Sequence, residues 1–339
     1  MKKSLLALAV LGAFAGAASA QSSVTLYGLV DIGFSRLDPK ASGAPSTTAM
    51  VSGVQSGSRV GLRGSEDLGG GLRAIFNLEH GLSVDDGTQG QGRMWGRWAY
   101  AGFAGGFGEL RLGRQWAAGF ELFGAVDPWA TGFNDAGSQS VFASANAIRV
   151  NNAIVYRTPV VGGFAGVLGY SLNPLGQEVA GGSDANNRTI TAGARFGAGP
   201  FLGVLTMERV AVAGPDQQHL QAGATFDFKV AKLHAMYGQE KNQTILGPRL
   251  FGVAGANNKA NSLMAGVTVP VGSLSLIASY ATRDFKNSAL NDGRVVAGGF
   301  TYAMSRRTNF YGVYSDADQK NVTGASDRKE LALGIRHSF

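Results

Sequence analysis

From Val24 to Phe339 the chain repeats one theme, short segments in which apolar and polar residues alternate with the two-residue period of a half-buried strand. In 219–229, Leu220, Ala222, Ala224, Phe226 and Phe228 oppose His219, Gln221, Thr225, Asp227 and Lys229. In 58–66, Val60 and Leu62 point one way and Arg59, Gly61 and Arg63 the other. Further segments span 24–37, 72–82, 93–104, 109–116, 149–158, 164–173 and 188–196, and others begin near Phe201, Val230, Asn261, Leu274, Arg294 and Thr308. With the last, 329–339, sixteen strands are expected, separated alternately by tight turns and longer polar loops, of which 38–55 is the first. The polar face carries arginines, lysines, glutamates and asparagines, side chains that are costly to bury dry and cheap beside water. A soluble sandwich would turn that face outward. Here aromatics recur near strand ends (Tyr27, Tyr156, Tyr170, Tyr237, Tyr280, Tyr302, Phe339), as in an interfacial girdle. The pattern therefore predicts an all-β transmembrane antiparallel 16-stranded barrel. Its apolar face meets lipid, and its lumen is too wide for side chains to fill.

The start of the chain fits export. Lys2 and Lys3 precede an apolar run from Leu5 to Phe14, and Ala18-Ser19-Ala20 forms a small-residue cleavage site. Residues 1–20 read as a cleaved signal peptide, leaving Gln21 as the mature N-terminus and 21–339 as the barrel domain. The absence of cysteine excludes a disulfide framework and thiol chemistry. Glycines number 51 and are spread along the chain, as are the charges, so one large β unit is expected rather than two domains. The formal net charge of +7 does not point to nucleic acid in an exported protein.

The alternation stops once at length, over about 117–148. Loops above about 12–15 residues are functional or disordered in compact proteins. This one carries Phe120, Phe123, Trp129, Phe133 and Phe142 with Glu121, Asp127 and Asp135, and is bracketed by Arg114 and Arg149. Such a loop is expected to fold inward and narrow the lumen.

The chain resembles the general diffusion porins of the Gram-negative outer membrane, the sixteen-stranded trimeric type. The matching stretches are Ser23-Val24-Thr25-Leu26-Tyr27-Gly28, the run from Ser58 to Gly69, Leu112-Gly113-Arg114-Gln115, Tyr156-Arg157-Thr158-Pro159 after Arg149, and the ending Gly334-Ile335-Arg336-His337-Ser338-Phe339. The resemblance implies that the third external loop constricts the pore and that an arginine cluster on the wall faces acidic groups of that loop. By motif position Arg59, Arg114 and Arg149 match the cluster, and Glu121, Asp127 and Asp135 are the candidate carboxylates. Arg63, Arg73, Arg97 and Arg157 share the polar face by parity and extend the pore lining. Strict alternation places Arg114 with Leu110 and Leu112, so a bulge must turn it inward. Where the family has Pro-Glu-Phe-Gly in the loop, this chain has Asp127-Pro128-Trp129-Ala130, which leaves open which carboxylate reaches the constriction. Where the family has a basic residue on the first strand, Leu29, Val30 and Asp31 stand.

The resemblance further implies a passive outer-membrane channel for small hydrophilic solutes and inorganic ions, weakly anion-selective, working as a homotrimer among outer-membrane lipid and lipopolysaccharide. Phe339 would be the assembly signal, read by the barrel assembly machinery. No cofactor or metal is implied. The alternatives are a substrate-specific anion channel, a barrel adhesin and an outer-membrane hydrolase. The hydrolase is disfavoured because His80, His219, His234 and His337 lie on separate strands without G-x-S-x-G, H-E-x-x-H or Walker motifs.

Overall fold

A computed structural model of the chain describes residues 23–143, 149–174, 176, 188–211, 214–243, 248–251, 258–287, 290, 292–320 and 327–339. The expected signal peptide and residues 144–148 of the expected loop lie outside them. The first strand, β1 (Ser23–Pro39), closes the barrel by pairing with the last, β17 (Arg328–Ser338), in register from Leu29↔Ser338 to Pro39↔Arg328. Its other edge pairs with two segments in turn. β2 (Thr47–Ser52) takes the second half of β1 and β3 (Arg59–Gly69) the first half. β2 and β3 are thus two parts of one stave, and the closed barrel has sixteen. The segment 38–55, expected as a polar loop, therefore contains a strand. Thr47-Thr48-Ala49-Met50-Val51-Ser52 has too few apolar residues to show the period, and its pairing with β1 supplies what the pattern lacks.

The remaining staves follow in chain order, each antiparallel to the one before. They are β4 (Leu72–Gly81), β5 (Trp98–Gly105), β6 (Gly108–Trp116), β7 (Arg149–Arg157), β8 (Phe164–Ser171) and β9 (Thr189–Ala198). Next come β10 (Phe201–Val210), β11 (Gln217–Asp227), β12 (Lys232–Lys241) and β13 (Lys259–Val271). β14 (Leu274–Phe285), β15 (Gly293–Ala303) and β16 (Thr308–Gln319) complete the wall. The turn from β3 to β4 uses Gly69, Gly70 and Gly71 at φ of +85°, +60° and +79°, left-handed backbone that glycine adopts without a Cβ clash.

The surface is inverted relative to a soluble protein. Along β10, Leu205 and Met207 are 52% and 50% exposed while Thr206 and Glu208 between them are 2%. Tyr237, Tyr280, Tyr302 and Phe339 face outward, and the Tyr156 hydroxyl donates to Phe107 O at 2.6 Å. Tyr27 departs from the expected girdle and points into the lumen. Its hydroxyl lies 2.9 Å from both Asn77 Oδ1 and Glu79 Oε2, and its ring occupies the space that a Cβ on Gly61 would fill.

The inner face was expected to be wet throughout; the structure divides it. One sector is a dry core, made where the chain between β6 and β7 turns inward as the short helix α1 (Ala118–Phe123) and two 3-10 turns. The loop rests on inward-facing glycines. A Cβ on Gly193 would stand 2.5 Å from Leu122, on Gly223 2.7 Å from Val126, on Gly238 2.8 Å from Phe142, and on Gly266 2.6 Å from Pro128. On β15, a Cβ at Gly299 would be 3.2 Å from Trp129. Each of these strands omits a side chain where the loop inserts one. Full burial of a Leu or Phe side chain contributes about 1.5–3 kcal/mol, so Phe123, Val126, Trp129 and Phe142 together hold the loop firmly. Substituting Gly266→Leu should evict the rigid Pro128 ring, at an overpacking cost of about 1–3 kcal/mol. The expected outcome is a folded barrel with higher and noisier single-channel conductance; wild-type conductance would show that the glycine floor does not seat the loop.

Candidate functional site: the constriction

Backbone polarity fastens the loop to the same wall. Ala118 N–H donates to Thr191 Oγ1 (2.9 Å) and Gly119 N–H to Glu208 Oε1 (3.2 Å). His234 Nδ1 donates to Val126 O (2.9 Å), Trp129 Nε1–H to Ser279 Oγ (2.8 Å), and Arg283 Nη1 to Val141 O (3.0 Å). From the opposite wall, Val54 O accepts Phe133 N–H at 2.7 Å. Val54 belongs to the step between β2 and β3, residues 53–58, where the stave bends into the lumen. Asp31 holds that step, accepting Tyr311 O–H (2.6 Å) and Ser56 N–H (2.6 Å) on its fully buried carboxylate. The acid standing near the place of the family's first-strand base is thus an internal strut.

None of the three candidate loop carboxylates faces open lumen. Glu121 on α1 is gripped by Arg157 of β7, with Nε 2.8 and 3.1 Å from its two oxygens. Asp135 is clamped in a two-pronged pair by Arg328 of β17 (2.6 and 2.7 Å), with Arg249 Nε at 3.3 Å. Asp127 accepts N–H groups from Trp129 (2.9 Å), Thr131 (3.0 Å) and Ser138 (2.8 Å). Burial pushes its carboxyl up, and those N–H groups pull the other way. They tie a turn in which Ala130, Thr131, Phe133 and Asn134 all have left-handed backbone, φ +50° to +60°, which costs of order 1–3 kcal/mol for each such residue.

The arginines are distributed differently from the expectation. Arg59 at the start of β3, Arg97 just before β5 and Arg149 at the start of β7 border one cavity with Gln55 and Ser56; across it stand Thr131, Asn134, Gln139 and Arg249. Arg97 is paired with Glu79 (2.6 Å), whereas among the described residues neither Arg59 nor Arg149 has an ion-pair partner. Arg59 contacts Ser56 Oγ. Arg114 does sit at a register shift between Gly113 and Gln115, as a bulge requires. Its guanidinium nevertheless donates to Gly96 O (2.8 Å) and Asn151 Oδ1 (2.6 Å) and does not line the cavity. Arg63 stacks over the Tyr27 ring at 5.2 Å, Arg73 is exposed beside the β3–β4 turn, and Arg157 is engaged with Glu121. Sequence reasoning missed Gln55, Ser56 and Arg249; for Arg249 the available signal was its place beside the large apolar pair Leu250-Phe251 in a connection between strands. Among the described residues no three His, Asp or Glu side chains converge to hold a metal ion.

A closed lipid-facing barrel with a wet, narrowed lumen defines a membrane channel. Residues 7–322 match the model of the Gram-negative porin family. The chain is 36% identical to an outer membrane porin protein of Bordetella pertussis and 35% to outer membrane porin protein 32 of Delftia acidovorans, each over 100% of both chains. Its fold superposes on an anion-selective porin from Comamonas acidovorans with a TM-score of 0.78 and 30% identity, covering 94% of this chain and 100% of that one. The chain belongs to the Gram-negative porin family and is a passive channel of the outer membrane, not an enzyme.

Asp127→Ala removes the acceptor of three N–H groups, and each buried donor left unpaired costs about 1–3 kcal/mol. Limited proteolysis of the folded barrel should then cut within 127–140, which the wild type resists. Equal resistance would show that the carboxylate does not hold the turn.

Proposed function

We propose that this porin is a general diffusion channel with a modest preference for anions, set at a constriction whose charged lining is arginine. One observation carries the reading. The loop carboxylates Glu121, Asp127 and Asp135 are each engaged by protein donors, while Arg59 and Arg149 border the cavity without an ion-pair partner among the described residues. The loop carboxylates Glu121 and Asp135 pair with Arg157 and Arg328 of the wall rather than with Arg59 or Arg149. Arginine side chains around a pore attract anions without excluding cations. A specific anion channel is the second reading, favoured only by the gathering of Arg59, Arg149 and Arg249 around one cavity.

The same reading carries the homotrimer, contact with lipopolysaccharide in the outer leaflet, and recognition of the C-terminal strand by the assembly machinery. Support for the last comes from Phe339, whose backbone pairs with Gly28 in both directions at 3.1 Å while its ring lies on the outer surface. The relative from Comamonas acidovorans, described as anion-selective, supports the sign of the selectivity.

The test is the zero-current potential across a KCl gradient in a planar bilayer. The wild type should give the sign of an anion-selective pore. Arg59→Ala and Arg149→Ala should each lower the chloride-over-potassium ratio about two- to five-fold, the effect of roughly 1 kcal/mol of Coulomb energy. The preference should fade toward 1 M salt, where the Debye length falls to ~3 Å. It should change little between neutral and mildly alkaline pH, because arginine stays charged there. A cation-selective wild type would overturn the assignment.

A further inference from the structure

Residues 248–251 belong to the connection between β12 and β13, far in sequence from the constriction loop, yet they fold inward and dock on it. Arg249 N–H donates to Gln139 O at 2.7 Å and Leu250 N–H to Ser140 O at 3.3 Å, a short strand-like contact between two loops. Leu250 and Phe251 are buried in the core beneath the loop, and the Phe251 ring occupies the space a Cβ on Gly293 would need. This anchoring brings the Arg249 guanidinium to the loop side of the cavity bordered by Arg59 and Arg149. There Nε lies 3.3 Å from Asp135 and Nη1 3.4 Å from Asn134, with 43% of the side chain still exposed. Asp135 already has a two-pronged partner in Arg328. Asp135 and Glu330, which also stands beside Arg328 and accepts from Asn134, are both buried, so the charge this cluster presents to the cavity is the half-exposed Arg249 guanidinium.

We propose that Arg249 is a specificity-determining residue of the channel, a cation delivered from a second loop so that solutes meet positive charge on both sides of the constriction. The inference rests on the anion-selective reading above and adds a residue to it. A solute passing Arg59 and Arg149 then finds no opposing carboxylate to orient or repel it. Guanidinium groups then border the cavity on both the wall side and the loop side.

The experiment compares zero-current potentials in dilute KCl for wild type, Arg249→Gln, Arg249→Lys and Gly293→Leu, each checked for folding by heat-modifiable gel mobility. Arg249→Gln should lower the chloride-over-potassium ratio at least about two-fold, since one unit charge beside the path is removed. Arg249→Lys should retain the ratio, which a purely structural role for the guanidinium would not allow. Gly293→Leu keeps the charge but displaces Phe251, and should lower the ratio as Arg249→Gln does. An anion-selective wild type with an unchanged ratio in Arg249→Gln overturns the role of Arg249 alone. A wild type without anion preference overturns the underlying reading, and is seen before any variant is measured.

Discussion

A barrel of sixteen staves encloses more space than its own inward side chains can fill. What fills it is the chain between β6 and β7, and the contact that makes this possible is apolar side chain against glycine. Leu122, Val126, Pro128, Trp129 and Phe142 lie on backbone at Gly193, Gly223, Gly266, Gly299 and Gly238. Close packing of this kind gives the loop one depth and one orientation, since interiors at crystal-like density tolerate little displacement. The position of the polar groups follows from it. With the loop seated, Asp135 meets Arg328 and Glu121 meets Arg157, and Phe133 reaches the step at Val54.

That seating also sets which charged groups border the constriction cavity. Carboxylates brought against a wall rich in arginine form the available pairs, and burial strengthens each by lowering the local dielectric. Glu121 and Asp135 are neutralised in this way, and Asp127 is turned into the acceptor for its own turn. Arg59 and Arg149 are left bordering the cavity without an ion-pair partner among the described residues. Charge at the constriction is therefore a residue of how the loop packs, and is not read from the loop's own composition, which is acidic.

Periodicity made the barrel, its strand count, the glycine turn at 69–71 and the start of the inward loop readable from the residues alone, because a half-buried strand writes its face into every second position. Arg59 and Arg149, expected at the constriction from motif position, border one cavity. The period says which way a side chain points but not what stands opposite. It therefore could not pair Asp135 with Arg328, which lies 193 residues away, or bring Arg249 to the cavity. Arg114 was assigned to the lining on motif position against its parity; the bulge exists, but Asn151 and Gly96 O intercept the guanidinium. Tyr27 was misjudged for a related reason, since it is defined by partners across the sheet, Asn77 and Glu79. The glycine floor left no apolar signature at all, because its function is to be empty.

The clamp between Asp135 and Arg328 has a temporal side. Arg328 opens the last strand, and Tyr311, which steadies Asp31, lies on the one before it. The loop begins at Ala117, far from either in sequence, so the clamp exists only where the closing strands are in place. The permeability barrier is thus completed by the same step that completes the cylinder, and a chain that fails to close remains both edge-exposed and ungated.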